Sequence, residues 1–199
     1  MRFFQFVQAS VLLAAATALP LAAVPITYTY AGTGSGTLGT QSFVDVPFTF
    51  TGIADTANIV PWVNAGGGPR NPHLSATITI AGLGTFAVTT PSHTWVAEGC
   101  CGGLGQDLGI NWVDLDTPSL HSIGYGLATN LGPIVDNSPG AVHQFNGVQT
   151  SGGVLTFGSI SSVTFTAVTA ASDVPEPGTW TGVALGCLLL FMRRTQRRN

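Results

Sequence analysis

Lysine is missing from this chain altogether, and charge of either sign is scarce. Asp, Glu, Lys and Arg make up 8% of its 199 residues, against about a quarter in ordinary soluble domains. Of the Arg residues only Arg70 lies away from the ends; the others are Arg2, Arg193, Arg194, Arg197 and Arg198. Between Val24 and Asp173 it stands against eight acids (Asp45, Asp55, Glu98, Asp107, Asp114, Asp116, Asp136 and Asp173), a net charge of −7 with His neutral. Such a body has no basic surface from which to release counterions, which argues against nucleic acid as a partner. It suits an anionic membrane surface no better.

Other absences narrow the chemistry. No stretch of the body carries helical periodicity over three turns, and no repeat recurs at a fixed period that would announce a solenoid or propeller. The cysteines Cys100, Cys101 and Cys187 do not form the spaced pairs of a zinc site. His73, His93, His121 and His143 share no short metal-ligand spacing. Gly34-Ser35-Gly36 does not complete a Gly-x-Ser-x-Gly nucleophile elbow. Glu98 is the body's only Glu, and none of the Asp falls in a catalytic pattern. Neither enzymatic activity nor a metal or cofactor is expected.

What is present is β-sequence. Ile26-Thr-Tyr-Thr-Tyr30, Phe48-Thr-Phe-Thr51 and Ala76-Thr-Ile-Thr-Ile80 alternate apolar residues with Thr, the period of a half-buried strand. Further strands are expected at 84–90, 93–97, 108–114, 122–129, 142–150, 154–157 and 162–168, rich in Thr, Val, Ile and Phe. Clusters of Gly, Pro and Asn at 32–39, 64–72, 99–105, 133–140 and 151–153 read as the turns between them. Many short strands with frequent turns predict an all-β body over 24–173, an antiparallel β-sandwich of which a jelly roll is one version.

The ends read differently. Arg2, the apolar run Val11-Leu-Leu-Ala-Ala-Ala and the small residues up to Ala23 form a secretory signal peptide over 1–23, with cleavage after Ala18 or Ala23. This implies a signal helix handled by the general secretion machinery. At the other end, Val174-Pro175-Glu176-Pro177 punctuates the chain, because the prolines hold it extended. The apolar run Trp180 to Met192 follows, then Arg193, Arg194, Arg197 and Arg198. As a helix that run spans about 20 Å, at about 1.5 Å per residue, which is short for a bilayer core of about 30 Å. The Arg cluster should stay cytoplasmic and leave the body outside. A short transmembrane helix with a strong basic stop suits a transient hold.

These three parts in this order resemble the PEP-CTERM sorting signal. The resemblance covers residues 174–199 and carries Pro175, Glu176 and Pro177 onto the recognised motif, 180–192 onto the helix and 193–199 onto the basic tail. It implies recognition by exosortase, a membrane-embedded enzyme thought to cleave near the motif. The protein would be held briefly in the inner membrane and then passed to the cell surface or extracellular matrix. Such proteins are found in bacteria that make exopolysaccharide and biofilm, so polysaccharide is an implied partner. On this reading the body is a non-enzymatic surface or matrix protein, with a carbohydrate-binding module as the first alternative and a secreted hydrolase as the second.

Three features of the body invite a site. Cys100 and Cys101 are adjacent, and in an oxidising compartment they can bond to each other, pair with another chain or remain thiols. Asp107, Asp114 and Asp116 lie close together in sequence but without a recognisable calcium loop, and read as solvated loop acids. Of Trp62, Trp95 and Trp112, Trp62 sits beside a Gly- and Pro-rich loop. All three could stack on a sugar ring, and Trp62 is the one expected to be exposed and to make that contact.

Overall fold

The strands of this protein are longer than the alternating runs that announce them. The computed structural model describes residues 23–62, 67–106, 109–116 and 124–170. The sorting tag, all but the last residue of the signal segment, and Asp107, His121 and Cys187 lie outside them. In chain order the strands are β1 (Pro25–Leu38), β2 (Gln41–Asp55), β3 (Val60–Pro61), β4 (Pro69–Ile80), β5 (Gly84–Val88) and β6 (Ser92–Val96). They continue with β7 (Gly102–Gln106), β8 (Ile110–Leu115), β9 (Leu131–Asp136), β10 (Val148–Thr150) and β11 (Gly153–Thr169). Every strand pairing is antiparallel. The helical segments among the described residues are short 3-10 turns at Thr56–Asn58 and Val142–Gln144, and no described helix is long and apolar enough to cross a membrane.

The body is therefore all-β and antiparallel. Hydrogen bonding runs in the order β2-β1-β11-β10-β5-β4, and β4 pairs again with β2, so this path closes on itself. Strand β4 serves two neighbourhoods. Arg70 to Pro72 pair with β6, which leads on to β7 and β8, whereas His73 to Ile80 lie along β2 and Ala76 to Ile80 also along β5. Strand β9 lies along β11.

The alternation read in the sequence sorts side chains as a pleated strand must. Tyr28, Tyr30, Phe48, Phe50, Ile78 and Ile80 point into the main core, each at most 3% exposed. The Thr residues between them point out and are aligned across the strands. Thr29 lies between Thr51 and Thr166, and Thr51 lies next to Thr77. One step along, Thr49, Thr79 and Thr85 lie side by side. The outward face is thus rich in hydroxyl and methyl groups and carries no charge in these rows.

Several turns expected from glycine are strand instead. β1 continues through 32–38, and only Gly39 and Thr40 turn the chain, Gly39 with φ +57°. At Gly32, Gly34 and Gly36 a Cβ would meet the rings of Phe48, Phe157 and Phe43 at 2.9–3.1 Å, besides the carbonyls of β11. The glycines leave room for phenylalanines from neighbouring strands. Likewise β7 begins at Gly102 and β9 spans Leu131–Asp136, both within or overlapping segments expected as turns.

The opposite correction applies at two places. Residues 124–129, the described part of the 122–129 run, form turns and bends, with Leu127 at φ +62° and Gly124 at φ +56°. The 142–150 run divides into the 3-10 turn and the short β10, separated by Gly147 at φ +70°. Positive φ at these positions is incompatible with an extended strand.

Candidate functional site

Chemistry-bearing side chains gather on β6, whose five residues are all buried. Alternate residues serve different clusters. Ser92, Thr94 and Val96 face the main core and its polar margin. His93, Trp95 and Ala97 face a second, smaller cluster with Trp62. Trp62 packs tilted against Trp95 at 4.8 Å and edge-on to His93 at 5.4 Å, and is 4% exposed. The expectation that it is exposed is corrected: it is buried, its backbone N–H donates to Gly68 O at 2.7 Å, and its ring lies against β6. The neighbouring loop is glycine-rich, but the residue it delivers is a packing residue. Trp95 and Trp112 are 1% and 0% exposed, and every described Tyr is buried too, so no described Trp or Tyr offers a stacking platform on the surface.

On the main-core side of β6 runs a chain of polar groups. Ser92 Oγ lies 2.9 Å from His73 Nδ1, and His73 Nε2 lies 3.0 Å from Thr94 Oγ1. Tyr30 Oη is 3.1 Å from Thr94 Oγ1 and donates to Gly103 O at 2.8 Å. One proton assignment satisfies them all: Ser92 donates to Nδ1, Nε2–H to Thr94, Thr94 to Tyr30 and Tyr30 to Gly103. Gly103 lies beside Asp114 of β8, and a Cβ there would run into the Val113 carbonyl. The His73 ring finds room over Gly52 and between Tyr28 and Phe50, at 5.9 and 5.8 Å.

A serine hydroxyl on an imidazole is the geometry of a nucleophile and its base, yet the electrostatics point elsewhere. Burial, with a smaller repulsion from His93, lowers the His73 pKa to about 3, far from the operating range of a general base. Its second nitrogen meets a hydroxyl rather than a carboxylate, and Ser92 is 6% exposed. Nearby, Tyr28 Oη donates to Leu127 O at 2.6 Å and accepts from Asn71 Nδ2 at 3.0 Å. Burial pushes its pKa up to about 12, and pushes that of Tyr30 well above the usual tyrosine value. The tyrosines stay protonated and the imidazole neutral at pH 7, and their hydrogen bonds tie β1, β4, β6 and β7 together.

The turn from β6 to β7 carries the cysteines. Cys100 and Cys101 are bonded to each other, and Ala97 N–H donates to Cys101 O at 2.8 Å to close the turn. Cys100 is exposed, whereas Cys101 is half-buried against Trp62, Trp95 and Ala97. A cleft of about 300 Å³ opens beside this turn, lined by Pro69, Val96, Ala97, Glu98, Gly99 and residues 124–126. That is the small end of the ligand-pocket range. Arg70 sits on β4 opposite Trp95.

Of the acids, Glu98 lies exposed in this turn, whereas Asp114 on β8 and Asp136 on β9 are engaged with the backbone. Asp136 accepts from Asp116 N–H at 2.9 Å and from Ser138 N–H at 2.8 Å. Asp114 pairs its backbone with Gly140, and burial raises its carboxyl pKa. Among the described residues no three His, Cys, Asp or Glu side chains converge as metal ligands. Sequence reasoning missed the polar chain of Tyr30, His73, Ser92 and Thr94, whose members come from three strands with no local pattern to join them. Comparison with protein families, with characterised proteins and with solved structures finds no match.

Proposed function

We propose that this is an exported bacterial protein of the cell surface or extracellular matrix, sorted through its C-terminal PEP-CTERM-like tag and not an enzyme. The observation that carries the reading is the order of Val174 to Pro177, the apolar run 180–192 and the Arg cluster at the end of a chain that opens with a signal-like segment. Exosortase and the general secretion machinery are its processing partners, and the inner membrane holds it through the tag helix before processing. The body is read as an antiparallel β-sandwich, on the ground that two ladders share β4 and bury a common core. Intact mass of the protein from its native host tests the sorting. The expected species begins after Ala18 or Ala23 and lacks residues 193–199; one that keeps Arg193 to Asn199 would reduce the tag to a plain anchor.

Glycan binding is the second reading, and its seat moves. The buried Trp62 no longer supports it, whereas the uncharged rows of Thr29, Thr51, Thr77 and Thr49, Thr79, Thr85 offer hydroxyls at regular spacing to a neutral polysaccharide. Pull-down on the host's own polysaccharide, with and without Thr51→Lys and Thr77→Lys together, tests this. Binding that survives both substitutions would remove the threonine face from consideration.

A further inference from the structure

The bond between Cys100 and Cys101 does little that a structural disulfide does. A bridge stabilises chiefly by restricting the unfolded chain, and its effect grows with the length of chain it encloses. This one joins neighbours in sequence and encloses no intervening residue. The β6–β7 ladder around it is already held by five residue pairs from Ser92–Gln106 to Val96–Gly102, and by the Ala97 to Cys101 hydrogen bond. The bond can therefore open without the fold depending on it.

Its two sulfurs are also unequally placed. Cys100 is exposed at the tip of the turn, beside a cleft that leaves room for a small molecule. Cys101 is half-buried, packed on the Trp62, Trp95 and Ala97 cluster. Thiol–disulfide exchange depends on access to the attacked sulfur as well as on the two thiols, and here access favours one sulfur.

We propose that Cys100 is a thiol-exchange site for low-molecular-weight thiols. A small thiolate attacks Cys100 Sγ, the bond to Cys101 breaks, and the Cys101 thiolate leaves and takes a proton from water. The product is a mixed disulfide on Cys100. Either Cys101 then attacks Cys100 Sγ, expels the small thiol and restores the bond, or a second small thiolate attacks the sulfur of the bound thiol. The second route yields two cysteine thiols and one small-molecule disulfide, the two small thiols having supplied the electrons. Opening frees Cys101 from its partner and loosens its packing on Trp62, Trp95 and Ala97, of which Ala97 also lines the cleft.

The test uses the oxidised protein in a Cys187→Ser background, so that only these two sulfurs report. It is treated with graded 2-mercaptoethanol without denaturant, quenched with iodoacetamide, and read by intact mass and peptide mapping. The expected result is a mixed disulfide mapping to Cys100 at low thiol and two alkylated cysteines at high thiol. Tryptophan emission changes in step, and the thermal midpoint moves by no more than about 3 °C, the shift of a change near 1 kcal/mol in a domain of this size. Separately, Cys101→Ser should expose a Cys100 thiol that alkylates at least about tenfold faster than the Cys101 thiol left by Cys100→Ser, in line with their exposure. An adduct mapping to Cys101, equal alkylation rates, or a bond that opens only in denaturant would overturn the proposal. The wild-type pair is measured first, so a variant that fails to fold leaves the answer intact.

Discussion

The strands β1, β2 and β11 and the strands β6 and β7 use the same backbone in opposite ways. In the first group, burial alternates residue by residue, with aromatic and aliphatic side chains inward and Thr outward. In the second, consecutive residues are buried: all of Ser92–Val96, and Gly102 through Gly105. A strand with one wet face needs only a repeating pattern, and substitutions on that face meet solvent. A strand covered on both faces must satisfy two clusters, which is why β6 carries Trp, His, Ser and Thr in five positions. In β7, Gly103 lies too close to the Val113 carbonyl of β8 to carry a side chain. The first group is a tolerant scaffold, and the second is where a single side chain decides the packing.

The largest expected effect breaks that comparison at its covered end. Trp95→Ala removes the ring that fills the space between β6 and Trp62 and should destabilise the body by about 3–5 kcal/mol, read as a fall in the urea midpoint at unchanged m-value. A loss below about 1 kcal/mol would mean that the second cluster is dispensable and that the two groups of strands do not differ in kind.

A pH series sharpens the comparison further. His73 is neutral in the fold with a pKa near 3, because burial and His93 disfavour its charge, while in the unfolded chain it takes a proton near 6.5. The unfolded state therefore binds more protons between these values, and stability falls as pH drops from about 6.5 towards 3. The contribution of His73 has a slope of up to about 1.4 kcal/mol per pH unit. Asp114, whose carboxyl is raised by burial, works in the opposite direction. Chemical denaturation at pH 7 and pH 4 should show a smaller loss on acidification in His73→Gln than in the wild type. Equal losses would mean that the polar chain along β6 does not exclude the charged imidazole.

The smallest effect belongs to the outward face. Thr77→Lys should change stability by less than about 0.5 kcal/mol, since its side chain is exposed on β4 next to Thr51. A substantial loss would show that the threonine rows are held together as a unit and are not merely a solvated face.

How much could be read in advance follows the same division. Ile26 to Tyr30, Phe48 to Thr51 and Ala76 to Ile80 were legible as strands because one face is wet, and a wet face writes its period of two into the sequence. The glycines at 32, 34 and 36 hid the continuation of β1, since a glycine that yields space to a phenylalanine looks in sequence like one that turns the chain. Gly103 and Gly105, which come close to the backbone of β8, hid β7 as well. The candidate site was least legible. Adjacency alone allowed Cys100 and Cys101 to bond, but that one sulfur is exposed and the other lies on Trp62 and Trp95 depends on strands far apart in the chain.

By itself, then, the sequence determined the β-character of the body, its acidity and its lack of basic surface, because these depend on composition and on local alternation. The tertiary structure decided that Trp62 is inside, that Tyr30, His73, Ser92 and Thr94 form one hydrogen-bonded chain, and that β4 is shared between two ladders. Those outcomes turn on which strands become neighbours, and neighbourhood across a sheet is set by the packing of side chains distant in sequence, which leaves no local mark on the residues concerned.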